Sequence, residues 1–209
     1  MQIAQLEAKY AAGLVAVSAV STQIAPFKVA VNERQQAFDG IGVYGVRVRN
    51  MAKASGASAE MLADMLTYTR KLRGSRAGSI PVDNPDTPEN EALNAHSVSQ
   101  RSYAALVEHF RNLTNLAKNE PLYQSNETDL RTNTLDDYIA NLEAKNANVA
   151  SKFVPLSNFR AGRDTLLYTD ADSIIDVALL VKAYVAAAFG KNSPLYNQIK
   201  GLKFKRPKR

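Results

Sequence analysis

Histidine and cysteine content limits the chemistry open to this 209-residue chain, which has two histidines and no cysteine. Without cysteine there is no disulfide, no thiolate metal site and no cysteine nucleophile. His96 and His109 are 13 residues apart, so on one helix, at about 100° per residue, they point to nearly opposite faces. We therefore predict exposed polar histidines and no metal site.

Other groups that often carry catalysis have simpler explanations here. Asp136 and Asp137 lie near a predicted helix start, where acidic side chains interact favourably with the helix dipole. The glycines of residues 40–45 loosely match a dinucleotide fingerprint, but no strand precedes them, so we predict no phosphate loop. No motif of a zinc protease, a di-metal bundle or a serine hydrolase occurs. The sequence therefore predicts no enzyme, no cofactor and no catalytic residues.

Two arginines, Arg34 and Arg163, occupy positions where the helical pattern expects apolar residues. The first interpretation is that each faces a neighbouring acid, and the alternative is that one of them binds an anion. A related hypothesis is an enzyme or small-ligand carrier with a pocket between helices, lined by Tyr44, Tyr184 and a buried arginine.

The largest charge feature is the C-terminal end of the chain. The last ten residues hold six cations and no acid: Lys200, Lys203, Lys205, Arg206, Lys208 and Arg209. The remaining 20 basic residues balance the 20 acidic ones, so the whole net charge of +6 lies in this tail. One interpretation is a basic arm that binds nucleic acid or an anionic surface through phosphate-type contacts. The alternative is a solvated end whose Leu202 and Phe204 dock on the protein.

These groups must be positioned by helices. The first predicted helix is long and covers residues 2–38. Its apolar side chains alternate at spacings of three and four, which is typical of helices packed side by side at a shallow angle. Small residues such as Ala12 and Ala16 flank this seam and permit close approach. Pro26 should kink or split the helix, because proline lacks the N–H and crowds the preceding turn.

Two shorter helices are predicted next. The first has Ile41, Val48 and Met51 on one face, although Val43 and Val46 also allow a strand. The second begins at the N-cap Ser58 and has an apolar face. The members of that face are Leu62, Met65, Leu66, Thr69 and Leu72.

Residues 74–91 contain several glycines and prolines and have no periodic spacing of apolar residues. This composition predicts a linker. The predicted organisation is an N-terminal helical half at 1–73, the linker at 74–91, a C-terminal helical half at 92–200 and a basic tail at 201–209. Within the second half, one helix follows a start signal at residues 87–89. The longest runs from about 126–129 to Leu167, through Pro155.

The segment Ser173–Phe189 is apolar on nearly every face, and such a helix must be covered on all sides. It is shorter than the roughly 20 apolar residues that cross a bilayer, so we predict the central helix of a soluble bundle and no membrane span. Ser193 and Pro194 then begin a short helix. Because no basic region precedes the apolar run of residues 11–20, we expect no secretory signal and a cytoplasmic protein.

The two halves share a plan that suggests a duplication. Each has a long helix with one interior proline, then a turn, an apolar helix ending near a glycine, and a capped helix. A shift of 134 positions aligns Gly56 with Gly190 and Ala52 with Ala186, although few other residues are identical.

Several short patterns in the C-terminal half resemble one protein family. They include Asn158–Arg163, the apolar run of residues 177–185, Phe189-Gly190, Ser193–Tyr196 and Gly201–Phe204. Over about the last 90 residues the chain resembles an uncharacterised family of helical proteins from Bacteroidota genomes. The resemblance implies a bacterial, helical, non-enzymatic protein and supplies no activity.

The sequence as a whole predicts an all-α antiparallel bundle of long helices, with two similar helical halves or one merged core. The expected function is structural or interaction: the chain assembles with itself or with another protein through a helix face. The alternative function is binding of nucleic acid or an anionic surface through the tail.

Overall fold

The structure is a computed structural model that describes residues 3–74 and 101–207. These residues form seven α-helices and no strand, so the all-α prediction is confirmed, and the segment around Val43 is helical. The helices are α1 (Ile3–Phe38), α2 (Ile41–Ala54), α3 (Ala59–Arg73), α4 (Tyr103–Asn119), α5 (Thr132–Asp164), α6 (Ile174–Phe189) and α7 (Pro194–Ile199).

Serine caps and left-handed glycines set most helix boundaries. Four helices begin after a serine whose side chain accepts a hydrogen bond from the N–H three residues later: Ser58, Ser102, Ser173 and Ser193. Gly74 ends α3 with φ of 71° and Gly190 ends α6 with φ of 81°, a region where only glycine is free of Cβ strain. The start signal predicted at residues 87–89 lies outside the described residues.

The two interior prolines do not split their helices. α1 is a single helix of 36 residues that includes Pro26, and α5 is a single helix of 33 residues that includes Pro155. α5 begins later than predicted, after a 3₁₀ turn at Thr128–Leu130. It is followed by a π-helical turn at Thr165–Thr169, which carries the chain to the end predicted near Leu167.

The chain folds into two compact units that differ from the two predicted halves. Unit 1 comes from residues 1–30 and 150–209, and unit 2 from residues 31–149. Unit 1 thus combines segments from both ends of the sequence, whereas unit 2 is one continuous stretch. Local patterns cannot reveal this division, because they do not say which helices pack together. Of the predicted linker, Gly74 alone lies within the described residues.

Unit 2 has a well-packed core. Its helices α2, α3 and α4 contact one another, and Val48, Met65, Phe110 and Leu142 are fully buried. A Cβ on Gly45 would lie 2.7 Å from Leu72 Cδ1, so this glycine permits the approach of α3 to α2. Of the glycines that resemble a dinucleotide fingerprint, Gly42 and Gly45 therefore serve helix packing, whereas Gly40, with φ of 74°, turns the chain before α2.

Unit 1 has much less core. Among its residues that the structure describes, the buried apolar ones are Val20, Ala30, Leu156 and Val177. Val177 is the one buried residue of α6, so the prediction of a central helix covered on all sides is wrong for the single chain. A strongly apolar helix signals a need for cover, but it does not say whether the same chain provides that cover.

The order of elements agrees with the plan shared by the two halves. A long helix, an apolar helix and a capped helix occur as α1, α2 and α3, and again as α5, α6 and α7. Gly56 and Gly190, which the shift aligns, both have positive φ. A true duplication stays a prediction.

Candidate binding surface

Exposed apolar side chains are concentrated in unit 1. Of the 17 large apolar residues that are exposed in the described ranges, 15 belong to unit 1 and only Val43 and Leu122 to unit 2. Single exposed apolar residues are normal, but a concentration of them marks a binding surface. We use "apolar surface" for those on α1 and α6: Ile3, Tyr10, Leu14, Val15, Val17, Val29, Leu179, Leu180, Tyr184 and Phe189.

The α1 part of the apolar surface is uncharged over residues 10–27. Within Ile3–Ala54, the 18-residue window apolar enough to cross a membrane is 11% buried. This test of length and composition is weak evidence, because core helices of soluble proteins and signal sequences also pass it. A core helix would be mostly buried, whereas this one is exposed, so the single chain leaves α1 incompletely covered.

The α6 part presents a similar problem. Leu180 is 67% exposed and Tyr184 is 68% exposed, and their spacing of four residues places them on one face of the helix. This face meets water in the single chain. Covering it would remove apolar area from solvent at roughly 25 cal/mol per Å².

A cleft of about 470 Å³ lies within unit 1, between α1, α6 and the C-terminal residues. Its walls are apolar, and Leu6, Leu14, Ile174, Val181 and Phe204 are among the residues that line it. Lys9 and Lys182 are the two charged residues among its lining side chains. Gly13 permits the contact of α1 with α6, because a Cβ there would lie 2.7 Å from Ile174 Cδ1.

The tail does not project freely up to residue 207. Lys182 Nζ donates to the carbonyl oxygens of Lys200 at 2.7 Å and Leu202 at 2.9 Å. Arg206 Nη2 donates to both carboxylate oxygens of Asp176, at 2.8 and 2.6 Å. Residues 200–207, which we call the C-terminal segment, are therefore held against α6.

Each predicted cation of the tail has a defined place or lies outside the described residues. Lys200, Lys203 and Lys205 are exposed, and Arg206 is exposed but paired with Asp176. Lys208 and Arg209 fall outside the described residues. Leu202 and Phe204 lie in the cleft wall, as the docking interpretation predicts, and three lysines face solvent. Binding of nucleic acid or an anionic surface by this tail stays a prediction.

Sequence analysis did not identify Asp176 and Lys182 as the residues that hold the tail. A signal was present, because they are the two charged side chains within the otherwise apolar α6. Asp176 is also fixed at the helix start, where its carboxylate accepts a hydrogen bond of 2.6 Å from Ser173 Oγ. A lone charge on an apolar helix indicated a specific partner, but its identity required the fold.

Charge is divided unequally between the units. Residues 1–30 and 150–209 carry 13 Lys and Arg against 5 Asp and Glu, a net charge of +8. Residues 31–149 carry 13 against 15, a net charge of −2. Apolar surface and positive charge thus occur in the same unit, which favours ligands that are both apolar and anionic.

The two unusual arginines have different partners. Arg163 pairs with its neighbour Asp164, with Nη2 and Oδ1 2.6 Å apart, as the acid interpretation predicts. Arg34 instead lies over the Tyr103 ring, with its Cζ 4.0 Å from the ring centroid, so it is held by a cation–π contact. Neither arrangement requires a bound anion.

His109 is buried beside Tyr68 in unit 2, so its predicted exposure is wrong. His96 lies outside the described residues. Asp136 pairs with Lys118 at 2.6 Å on the surface. Within the ranges 3–74 and 101–207, no group of three His, Asp or Glu side chains is placed to hold a metal ion.

The predicted pocket tyrosines do not form one site. Tyr184 is exposed in unit 1, whereas Tyr44 packs against Phe110 and Tyr138 in unit 2, with ring centroids 5.2 and 4.9 Å away. Burial raises the pKa of Tyr138 to about 12, and that of Tyr123 also to about 12. These phenols stay protonated near neutral pH and stabilise the core.

No family model, curated protein or solved structure matches this chain. The resemblance to a Bacteroidota family, with the bacterial origin that it implies, therefore stays a prediction. Function has to be argued from the apolar surface, the cleft and the charge of unit 1.

Proposed function

We propose that this protein is a non-catalytic helical interaction module that assembles with itself or with another protein through the apolar surface of unit 1. The observation that carries the proposal is the exposure of this surface on α1 and α6. Water-exposed helices that are apolar on several faces gain stability when a partner covers them. Exposed alanines on both helices, such as Ala11 and Ala12 on α1 and Ala183 and Ala187 on α6, allow a partner helix to approach closely.

Substitutions on α6 test this function directly. The double variant Leu180→Glu with Tyr184→Glu places two carboxylates on the apolar surface, and neither of the substituted residues is buried. The wild-type protein is expected to scatter light as a species heavier than its 22.8 kDa monomer, and the double variant as the monomer. The physical reason is that association would have to bury two unpaired charges.

Val43→Glu is the matched control, because Val43 in unit 2 is also 67% exposed but lies outside the apolar surface. It should leave the molar mass unchanged. A wild-type mass of 22.8 kDa at all concentrations excludes self-assembly, and the proposal then requires a partner protein whose binding the α6 double variant abolishes. Equal behaviour of wild type and double variant in both assays overturns the proposal.

A second candidate function is binding of an anionic surface, either nucleic acid or lipid, through the basic tail. The net charge of +8 on unit 1 and the exposure of Lys200, Lys203 and Lys205 favour it. Such binding weakens steeply with salt, because it releases counterions. Removing residues 203–209 should abolish salt-sensitive binding to DNA or to anionic vesicles, and an unchanged result eliminates this function. The cytoplasmic location and the absence of a membrane span stay predictions.

A further inference from the structure

We propose that the cleft of unit 1 binds a single-chain anionic amphiphile of the fatty-acid type, with its hydrocarbon chain between α1 and α6 and its carboxylate at Lys182. The cleft shares Tyr10, Leu14 and Val17 with the apolar surface, but binding of the amphiphile does not require the protein–protein contact proposed above.

The walls of the cleft match a hydrocarbon chain. Apart from Lys9 and Lys182, its lining residues are aliphatic, aromatic or glycine. Its volume of about 470 Å³ falls within the range of about 300–1,000 Å³ that is typical of small-molecule sites. Water in the cleft finds few hydrogen-bond partners on such walls, so a hydrocarbon chain that displaces it gains free energy.

The charge at the cleft selects the headgroup. Lys182 donates to two carbonyl oxygens, and an ammonium group has a third proton to donate. No acidic side chain of the described residues lies within 4.0 Å of Lys182 Nζ, whereas Lys9 Nζ is paired with Asp172 Oδ2 at 2.6 Å. A carboxylate at Lys182 would therefore supply the counter-charge that the protein itself does not.

The C-terminal segment completes the site. Leu202 and Phe204 line the cleft. A short tether holds them to α6: Lys182 donates to two backbone carbonyls of the segment, and Arg206 pairs with Asp176. This tether holds two large apolar side chains over the space where the hydrocarbon chain would lie. The same lysine thus positions the wall and meets the headgroup.

Titration of the 209-residue protein with laurate, below the micelle concentration and followed by calorimetry, tests the proposal. We expect saturable binding of one laurate per chain. Shortening the acid by two carbons should weaken binding about tenfold, since each buried methylene contributes a factor of about three to four. Dodecyltrimethylammonium, which has the same chain length and the opposite charge, should bind at least about tenfold more weakly.

Two pairs of variants locate the site. Ala178→Trp fills the cleft and should abolish binding, whereas Ala187→Trp makes the same change at an exposed position of α6 and should not. Lys182→Gln should weaken laurate binding at least about threefold, whereas Lys191→Gln, on the exposed connection after α6, should leave it unchanged. Far-UV circular dichroism checks that each variant is folded.

Three results overturn the proposal: no saturable binding by wild type, equal binding by a folded Ala178→Trp variant, or equal affinity for the cationic amphiphile. Failure here leaves the light-scattering result for the α6 surface untouched, so the two proposals can fail separately.

Discussion

Gly45 illustrates how one residue sets the distance between helices. In α2 of unit 2, a Cβ at this position would lie 2.7 Å from Leu72 Cδ1 and 3.3 Å from Leu113 Cδ2, and both leucines are fully buried. We predict that Gly45→Ala lowers the free energy of unfolding by about 1–2 kcal/mol, because overpacking outweighs the gain in helix propensity. Urea denaturation followed by circular dichroism measures the change.

Gly162→Ala is the control for that prediction. A Cβ on Gly162 meets nothing within 4 Å in α5, so this variant should gain about 0.5–1 kcal/mol of stability from helix propensity alone. If both alanine substitutions stabilise the protein, the side chains around Gly45 move to accommodate the added Cβ, and the predicted overpacking is wrong.

The buried tyrosines of unit 2 predict a loss of stability at high pH. Because the pKa values of Tyr123 and Tyr138 are about 12 in the folded protein and about 10 when unfolded, the folded state holds these protons more tightly. Their contribution is complete below pH 10 and is lost as pH rises from 10 through 12, by on the order of 1–2 kcal/mol each.

Urea midpoints at pH 8, 10 and 11 measure this effect. The double variant Tyr123→Phe with Tyr138→Phe should show a shallower decline than wild type, although Tyr123→Phe also removes a hydrogen bond of 2.8 Å to the Leu130 carbonyl. Parallel declines in the two proteins would contradict the assignment of the alkaline loss to these phenols.

At the scale of elements, the first turn of α6 provides a contact that holds the C-terminal segment. Asp176 lies in its first turn and pairs with Arg206. Asp176→Asn should therefore loosen the part of the segment beyond Leu202, because Lys182 still holds the part before it. Tryptic cleavage after Lys203 and Lys205 should become up to about fivefold faster, the limit set by an exposed ion pair of at most about 1 kcal/mol. Mass spectrometry of a digestion time course gives the rates.

Asp170→Asn makes the same chemical change on the exposed connection before α6 and should leave the cleavage rates as in wild type. Equal acceleration by both variants would mean that loss of an acid in this region, rather than loss of the pair with Arg206, releases the segment.

At the scale of the whole molecule, the two units differ in how much core they have. The buried apolar residues of the described chain number 17 in unit 2 and four in unit 1. Local opening is easier where fewer apolar contacts resist it, so we predict that amides of α6 exchange hydrogen at least about tenfold faster than amides of α4. Hydrogen exchange with mass spectrometry resolves the two helices.

Occupation of the apolar surface should then slow exchange in α6 and leave α4 unaffected, because only unit 1 gains cover. Equal protection of α4 and α6 in the isolated chain would show that the apolar surface does not limit the stability of unit 1.

Sequence by itself determined the local structure. Serine caps at Ser58 and Ser193, the glycine at Gly190 and the spacing of apolar residues specified most helices, because helix formation depends on neighbours within a few positions. The spacing also identified α6 as a helix that needs cover.

Only the tertiary structure decided which segments pack together. It assigned the N-terminal part of α1 and the C-terminal part of α5 to the unit that contains α6, and it placed Arg206 on Asp176. It also showed that α6 is only partly covered by its own chain. The physical reason is that packing joins residues far apart in sequence, and an apolar helix face fits many partners equally well until the fold selects one or leaves it open.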